Sequence, residues 1–301
     1  MPCAKLIGKR PVTMSTTLAP SPATPQAVRP ARARATFLMC PPTLYEVDYV
    51  INPWMAGNVH ASSRERAAAQ WTALHTELSR LADVLLIDPE PGSPDMVFTA
   101  NAGLEFNGSV AVSSFFHPER QAEEDHFRRW FEQHGYPILD LPRSSPFEGE
   151  GDALFSTGIS RLWIGEGPRT VASSHRILAS AWPIGTVALR LVDPRFYHLD
   201  TCFAPLSDGS AMYFPAAFDA PSLARIEAFY PPAQRILVEE SDALRFACNA
   251  VNVGSTIILN TISPKLSSQL EARGFTVAQV DLSEFLKAGG AAKCLVMTLR
   301  H

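Results

Sequence analysis

Five times along this chain a helical pattern runs into a short apolar strand that ends at an acidic residue. The strands read VLLIDP (Val84–Pro89), PILDLP (Pro137–Pro142), VALRLVDP (Val187–Pro194), RILVEES (Arg235–Ser241) and TVAQVDLS (Thr276–Ser283). Their closing acids are Asp88, Asp140, Asp193, Glu240 and Asp281, which sets a period of roughly 40 to 55 residues, within the range of repeat architectures. A unit of this size cannot bury its apolar face alone, so successive units must pack on one another. Alternating helices and strands put the chain in the α/β class. Five units closing on a common axis would set five equivalent loops at one end, with helices outside and strands toward the centre.

The helices ahead of the strands are legible. Ala67, Trp71, Leu74, Leu78 and Leu81 recur at spacings of three and four behind a Ser62/Glu65 capping box. Phe127, Trp130 and Phe131 do the same ahead of Gly135, which is placed to end a helix. Leu266, Leu270 and Gly274 repeat the scheme, with Pro264 near the helix start. Asn107-Gly108, Asp208-Gly209 and Gly254-Ser255 supply tight turns between strands. Each unit thus reads helix, strand, loop, strand, with a return strand in several.

With 301 residues, 46% of them hydrophobic, the chain can bury a core without disulfide or metal staples. A net charge of −4 gives no reason to expect nucleic acid or an anionic membrane as partner, and no apolar run is long enough to cross a bilayer. Cys3, Cys40, Cys202, Cys248 and Cys294 are odd in number and form no CxxC pair. That usage fits a reducing cytoplasm better than a secreted disulfide framework. In residues 1–35, Lys5, Lys9, Arg10, Arg29, Arg32 and Arg34 stand among prolines, alanines and threonines without one acid. The segment reads as a disordered basic tail, followed by a single domain over 36–301 with ordered structure from near Thr36. A targeting peptide, or a true start at Met14, would show the same composition.

Unusual polar residues collect in the loops. Loop one holds Asp95 and Asn101, loop two Glu148 and Asp152, loop three His198 and Asp200, loop four Asn249 and Asn252, and loop five ends at Cys294. Cys294 follows Gly289-Gly290-Ala291-Ala292-Lys293, which reads as a flexible small-residue loop whose glycines let backbone approach a substrate. A cysteine attacks only as thiolate and needs a nearby base or cation. His198 can protonate a leaving amine and then activate water. Glu148 can hold the far nitrogen of that imidazole. Asp200, two residues from His198, would share its face of a strand and pair with a cationic substrate group. Several acids around a Cys–His pair suit a planar cation, whose paired donors match carboxylates and amide oxygens, and ill suit an ester or peptide.

At these residues the chain resembles the guanidine-modifying, or pentein, superfamily of amidinotransferases, arginine deiminases, dimethylarginine dimethylaminohydrolases and arginine dihydrolases. The resemblance runs over about 36–299 through Ile51-Asn52-Pro53-Trp54-Met55, Pro94-Asp95-Met96-Val97-Phe98-Thr99-Ala100-Asn101, the Glu148–Asp152 run, His198-Leu199-Asp200-Thr201 and Lys293-Cys294. It implies a five-bladed α/β propeller with pseudo-fivefold symmetry. It also implies Cys294 as nucleophile, His198 as acid/base, Glu148 as its partner and Asp200 as the acid gripping the guanidinium. Asn52, Asp95, Asn101, Arg120 and Asp152 complete the expected substrate contacts, with Arg120 similar in position to the residue that meets the substrate carboxylate. Where dimethylarginine hydrolases place a guanidinium-binding aspartate this chain has Asn101. Together with Asn52, that looks like the cyanobacterial type of arginine dihydrolase, which leaves ornithine and releases two ammonia. Dimethylarginine hydrolysis to citrulline and amidino transfer to an amine are the alternatives.

The expected partner is therefore a small guanidino compound, with no cofactor and no metal, and with a homo-oligomer left open. A structural zinc site from His198, Cys202, Cys248 and Cys294 is the reading from another class, and its spacing matches no common zinc motif.

Overall fold

The computed structural model describes residues 1–2, 34–159 and 161–300, so the expected tail lies almost wholly outside it. Among the described residues, the strands form five three-stranded sheets that share one plan. In the first, β1 (Thr36–Met39) lies between β2 (Asp83–Leu86) and the C-terminal β15 (Met297–Leu299). The others are β3 (Gly103–Phe106), β4 (Ser109–Val112) and β5 (Ile138–Leu139); β6 (Ala153–Phe155), β7 (Leu162–Glu166) and β8 (Thr186–Arg190); β9 (Phe203–Pro205), β10 (Ala211–Tyr213) and β11 (Arg235–Leu237); and β12 (Val251–Val253), β13 (Thr256–Leu259) and β14 (Thr276–Gln279). In every sheet the middle strand is antiparallel to one neighbour and parallel to the other. This is the expected five-bladed α/β propeller.

The parallel pair in each blade needs a crossover, and a helix supplies it. These are α1 (Arg64–Leu81), α2 (Glu123–Gln133), α3 (Ala172–Ala181), α4 (Ala220–Phe229) and, in the last blade, α6 (Pro264–Glu271). Two one-turn helices, α5 (Glu240–Ala243) and α7 (Ser283–Leu286), follow β11 and β14. The blade boundary therefore differs from the sequence reading: the unit is hairpin, helix, outer strand. The first blade is completed by β15 from the far end of the chain, an interlock that the helix-to-strand beat does not display.

The helix faces follow the expected spacing. Ala67, Trp71, Leu74 and Leu78 are buried along α1. Its cap is Ser63, whose side chain accepts from Arg66 N, and not Ser62, whose hydroxyl accepts from Val47 N. Asn107 and Gly108 both take positive φ in the β3–β4 turn, the conformation that a two-residue hairpin demands. Outer strands such as β2 are largely exposed, whereas β3 is buried throughout. No helix of the described residues is long and apolar enough to cross a membrane.

The plan sets the site. In each blade the residues that bear chemistry fall just before the strand antiparallel to the middle one: Asn101 before β3, Glu148 and Asp152 before β6, His198 and Asp200 before β9, Asn249 before β12 and Cys294 before β15. His198 stands at the N-cap of a single 3-10 turn, Leu199–Thr201, and Asp200 lies within it; neither is on a strand, so strand alternation does not set their orientation. Asn252 lies within β12, bonded to Thr256 O and Ser207 N, and takes no part in the site.

Candidate active site

Glu148 anchors one half of the site. Its Oε2 lies 2.7 Å from His198 Nε2 and accepts from Arg169 Nη1 at 2.9 Å, while Oε1 accepts from Phe116 N at 3.2 Å. Burial pushes this carboxyl up, but the Arg169 guanidinium and the bonded His198 outweigh burial and hold it well below the usual carboxylate range. An ionised carboxylate can only accept, so His198 Nε2 carries a hydrogen and donates it. The nitrogen left for proton exchange is Nδ1, which faces Gly151: a Cβ built there would stand 3.1 Å from Nδ1 and 2.4 Å from Asn101 Nδ2. Glycine at 151 keeps those two groups clear of a side chain.

Cys294 anchors the other half. Its thiol lies 3.4 Å from Asp200 Oδ2, as donor, and accepts from Asn249 Nδ2 at 3.0 Å. Burial, with the Asp200 charge second, pushes the thiol well above its ordinary value. Burial likewise pushes Asp200 up to about 7 against the pull of the Lys293 cation. Lys293 itself is held by Glu150 Oε2 at 2.7 Å and Val296 O at 2.8 Å. The loop expected to be flexible is buried and tightly packed. Gly289 has φ +82°, and a Cβ there would meet the Tyr197 hydroxyl at 2.9 Å; at Gly290 it would meet the Phe98 ring at 2.3 Å.

Asn52, Asp95, Asn101, Arg120 and Cys294 line one cavity. The Asn52 amide braces it, donating to Ala288 O at 3.0 Å and accepting from Trp54 N at 2.9 Å. Asp95 Oδ2 accepts from the Tyr49 hydroxyl at 2.9 Å. The other Asp95 oxygen, and Oδ1 of Asp200, are buried with no hydrogen-bond partner. Arg120 is buried: Nε and Nη2 reach Glu123 at 2.8 and 2.7 Å, Nη2 also reaches Asp95 O at 3.2 Å, and Nη1 reaches Asn101 Oδ1 at 2.8 Å. Of five guanidinium hydrogens, that leaves one for the cavity.

Of the expected substrate contacts, Asp200 lies outside this lining and reaches it only through the Cys294 thiol, and Asp152 lies outside it as well. Leu199 N donates to its Oδ1 at 3.0 Å and Thr170 Oγ1 to its Oδ2 at 2.6 Å, and burial raises it to about 6. It fastens the turn that carries His198 and Asp200. Six lining residues were not expected there, Arg169, Tyr197 and Phe98 among them. Arg169 binds Glu148 and Ile51 O and lies 4.8 Å over the Tyr197 ring; Tyr197 donates to Gly289 O at 2.7 Å; Phe98 forms an apolar wall. Phe98 lay inside a quoted motif and Tyr197 directly before one, whereas Arg169, in Gly165-Glu166-Gly167-Pro168-Arg169, belongs to none of them. His198, Cys202, Cys248 and Cys294 do not gather as ligands, and no group of three or more His, Cys, Asp or Glu among the described residues is placed to hold a metal ion.

A family model described as N,N dimethylarginine dimethylhydrolase, eukaryotic, matches residues 48–301. The chain is 55% identical over 260 residues to the bifunctional arginine dihydrolase/ornithine cyclodeaminase ArgZ of Synechocystis sp., covering 86% of this chain and 37% of that protein. It is 38% identical over 264 residues to the N(G),N(G)-dimethylarginine dimethylaminohydrolase of Mycobacterium tuberculosis, covering 87% and 85%. Among solved structures, the N-terminal domain of ArgZ bound to product aligns with a TM-score of 0.88 at 53% identity, over 89% of this chain and 98% of that one. The chain spans 37% and 38% of the lengths of the two bifunctional cyanobacterial relatives it matches.

Proposed function

The chain belongs to the dimethylarginine dimethylaminohydrolase family of guanidine-modifying proteins, and from that premise we propose that it hydrolyses the guanidino C–N bonds of arginine, releasing ornithine, two ammonia and carbon dioxide. The observation that carries this reading is a pair of buried carboxylate oxygens left without partners: Asp95 Oδ1, on the cavity that Cys294 lines, and Asp200 Oδ1, on the carboxylate that takes the Cys294 thiol. A guanidinium brings donors and charge to both. The remaining Arg120 hydrogen and Arg169 suit the substrate's carboxylate.

The chemistry follows from the two halves. A cation beside Asp200 favours the ionised carboxylate and the thiolate, both of which burial opposes while the site is empty. The Cys294 proton passes to His198 Nδ1, the thiolate bonds to the guanidinium carbon, and that imidazolium gives the proton to the departing nitrogen, which leaves as ammonia. Water, deprotonated by the same imidazole, adds to the thiouronium carbon, and the C–S bond breaks to give the ureido compound. In a second round the thiolate attacks the ureido carbon and another ammonia leaves. Hydrolysis of the thiocarbamate frees a carbamate that loses carbon dioxide. The sum is arginine and two waters giving ornithine, two ammonia and carbon dioxide.

Dimethylarginine hydrolysis is the second reading, favoured by the matching family model and the mycobacterial relative. Asn101 weighs against it, because an amide both donates and accepts and so serves a guanidinium and then a neutral ureido group. The test is a time course of citrulline, ornithine, ammonia and dimethylamine from arginine and from dimethylarginine. Ornithine with two ammonia is expected from arginine. Citrulline as the end product, or far faster turnover of dimethylarginine, would overturn the dihydrolase reading.

A further inference from the structure

Asn249 occupies, in the last blade, the position from which the other blades deliver Asn101, Asp152, Asp200 and Cys294. It is wholly buried, and both ends of its amide meet the cysteine. Oδ1 accepts from Cys294 N at 3.0 Å; Nδ2 donates to Cys294 Sγ at 3.0 Å and to Asp200 O at 3.3 Å. The chemistry of the neighbours fixes this orientation. A backbone N–H can only donate and a carbonyl can only accept, so oxygen must face Cys294 N and nitrogen must face Asp200 O and the sulfur. The backbone of Asn249 is tied down as well, its N–H to Phe246 O at 2.9 Å and its carbonyl to Lys293 N at 3.2 Å.

The sulfur thus lies between two side chains of opposite effect. Asp200 accepts the S–H proton and opposes negative charge on sulfur. Asn249 offers a hydrogen that no change of pH removes, and a donor to the charged form favours that form. We propose that Asn249 is the donor that stabilises the Cys294 thiolate and holds the sulfur at the guanidinium carbon. This rests on the arginine reading for the reaction, but not for the thiol chemistry itself.

Alkylation of Cys294 by iodoacetamide across a pH series, located by peptide mass mapping, reads the thiolate in the full chain without substrate. Asn249→Asp keeps an acceptor for Cys294 N while placing oxygen against sulfur. Asn249→Leu, of similar size and without donors, reads the same loss should the aspartate variant not fold. Each variant should alkylate roughly tenfold or more slowly below the inflection, as an upward shift of about one pH unit requires. Its kcat on arginine should fall while KM stays within a few-fold. An alkylation profile that coincides with the native one, even with a lowered melting temperature, would reduce Asn249 to a structural prop and overturn the proposal. If native Cys294 shows the Asn249-dependent profile but arginine is not turned over, the arginine reading falls and the donor assignment stands.

Discussion

The two halves of the site bury a carboxylate equally deeply and treat it in opposite ways. Glu148 is ringed by partners made of protein: Arg169, His198 and the Phe116 amide. They overcome desolvation and keep it ionised. Asp200 has the thiol and the more distant Lys293 cation, keeps one oxygen unpartnered, and is pushed up to about 7. Burial is common to both, so the difference lies in who supplies the cation. At Glu148 the fold supplies it permanently, which fixes the imidazole. On the proposed reading the place at Asp200 is left to the substrate, so that binding and activation of the thiol become one event.

The largest effects should come from removing the reacting atoms. Cys294→Ser is expected to abolish turnover with the fold intact, because a serine hydroxyl has no comparably accessible anion; near-normal turnover would sink the mechanism. His198→Ala should cost about 10²- to 10⁴-fold in kcat, the usual share of general acid–base catalysis.

Stability should separate the halves next. Glu148→Gln strips the charge from a buried ion pair and leaves Arg169 uncompensated, which should cost about 3–5 kcal/mol near neutral pH, read from denaturant midpoints. The folded value of Glu148 lies below its ordinary 4.5, so its stabilisation is full above that pH and is lost as pH falls below it. Asp200 has the opposite sign. Its folded value of about 7 lies above 3.8, so its contribution is full below about 3.8 and is lost as pH rises through about 7. Asp200→Asn should therefore match the native chain near pH 4 and exceed it at pH 8 by on the order of 1–3 kcal/mol. A stability difference that does not change with pH would break the comparison. The same variant should bind arginine about 10- to 100-fold more weakly, from a lost charge-assisted contact of about 1.5–3 kcal/mol, with much less effect on citrulline.

Local signals carried much of this. The 3.6-residue spacing along α1 and α2 and the turn at Asn107-Gly108 are properties of neighbouring residues, and each appears in the structure; the acids read as closing the outer strands lie one to three residues beyond the strand ends. The loop positions of Glu148, His198, Asp200 and Cys294 followed from the beat. What escaped depends on contacts between distant residues. Arg169 is an ordinary turn arginine until the fold sets it against Glu148 and Ile51. Asp152 resembles Asp200 in its loop, and only the arrival of Leu199 N and Thr170 Oγ1 shows that its oxygens are spent. The closing of the first blade by β15 joins the two ends of the repeat, which no local pattern can announce. Gly289 and Gly290 suggested freedom, whereas packing against Tyr197 and Phe98 makes them a matter of space.

The smallest predicted change tests how far the substrate half is tuned for a second round. Asn101 Oδ1 accepts from Arg120 at 2.8 Å, and Nδ2 faces Glu148 O at 3.4 Å. Asn101→Asp keeps the acceptor toward Arg120 and strengthens it with charge, so the pocket wall should hold. It loses the donor and sets oxygen against a carbonyl and beside His198. A guanidinium gains from the added carboxylate, while a neutral ureido group gains nothing and meets an acceptor where it had a donor. Citrulline formation should therefore change only a few-fold, and citrulline should accumulate while ornithine falls behind. The time course of citrulline, ornithine and ammonia for both proteins decides it. Unchanged ornithine yield from Asn101→Asp would show that the second round is governed elsewhere, with His198 and Gly151 the next positions to probe.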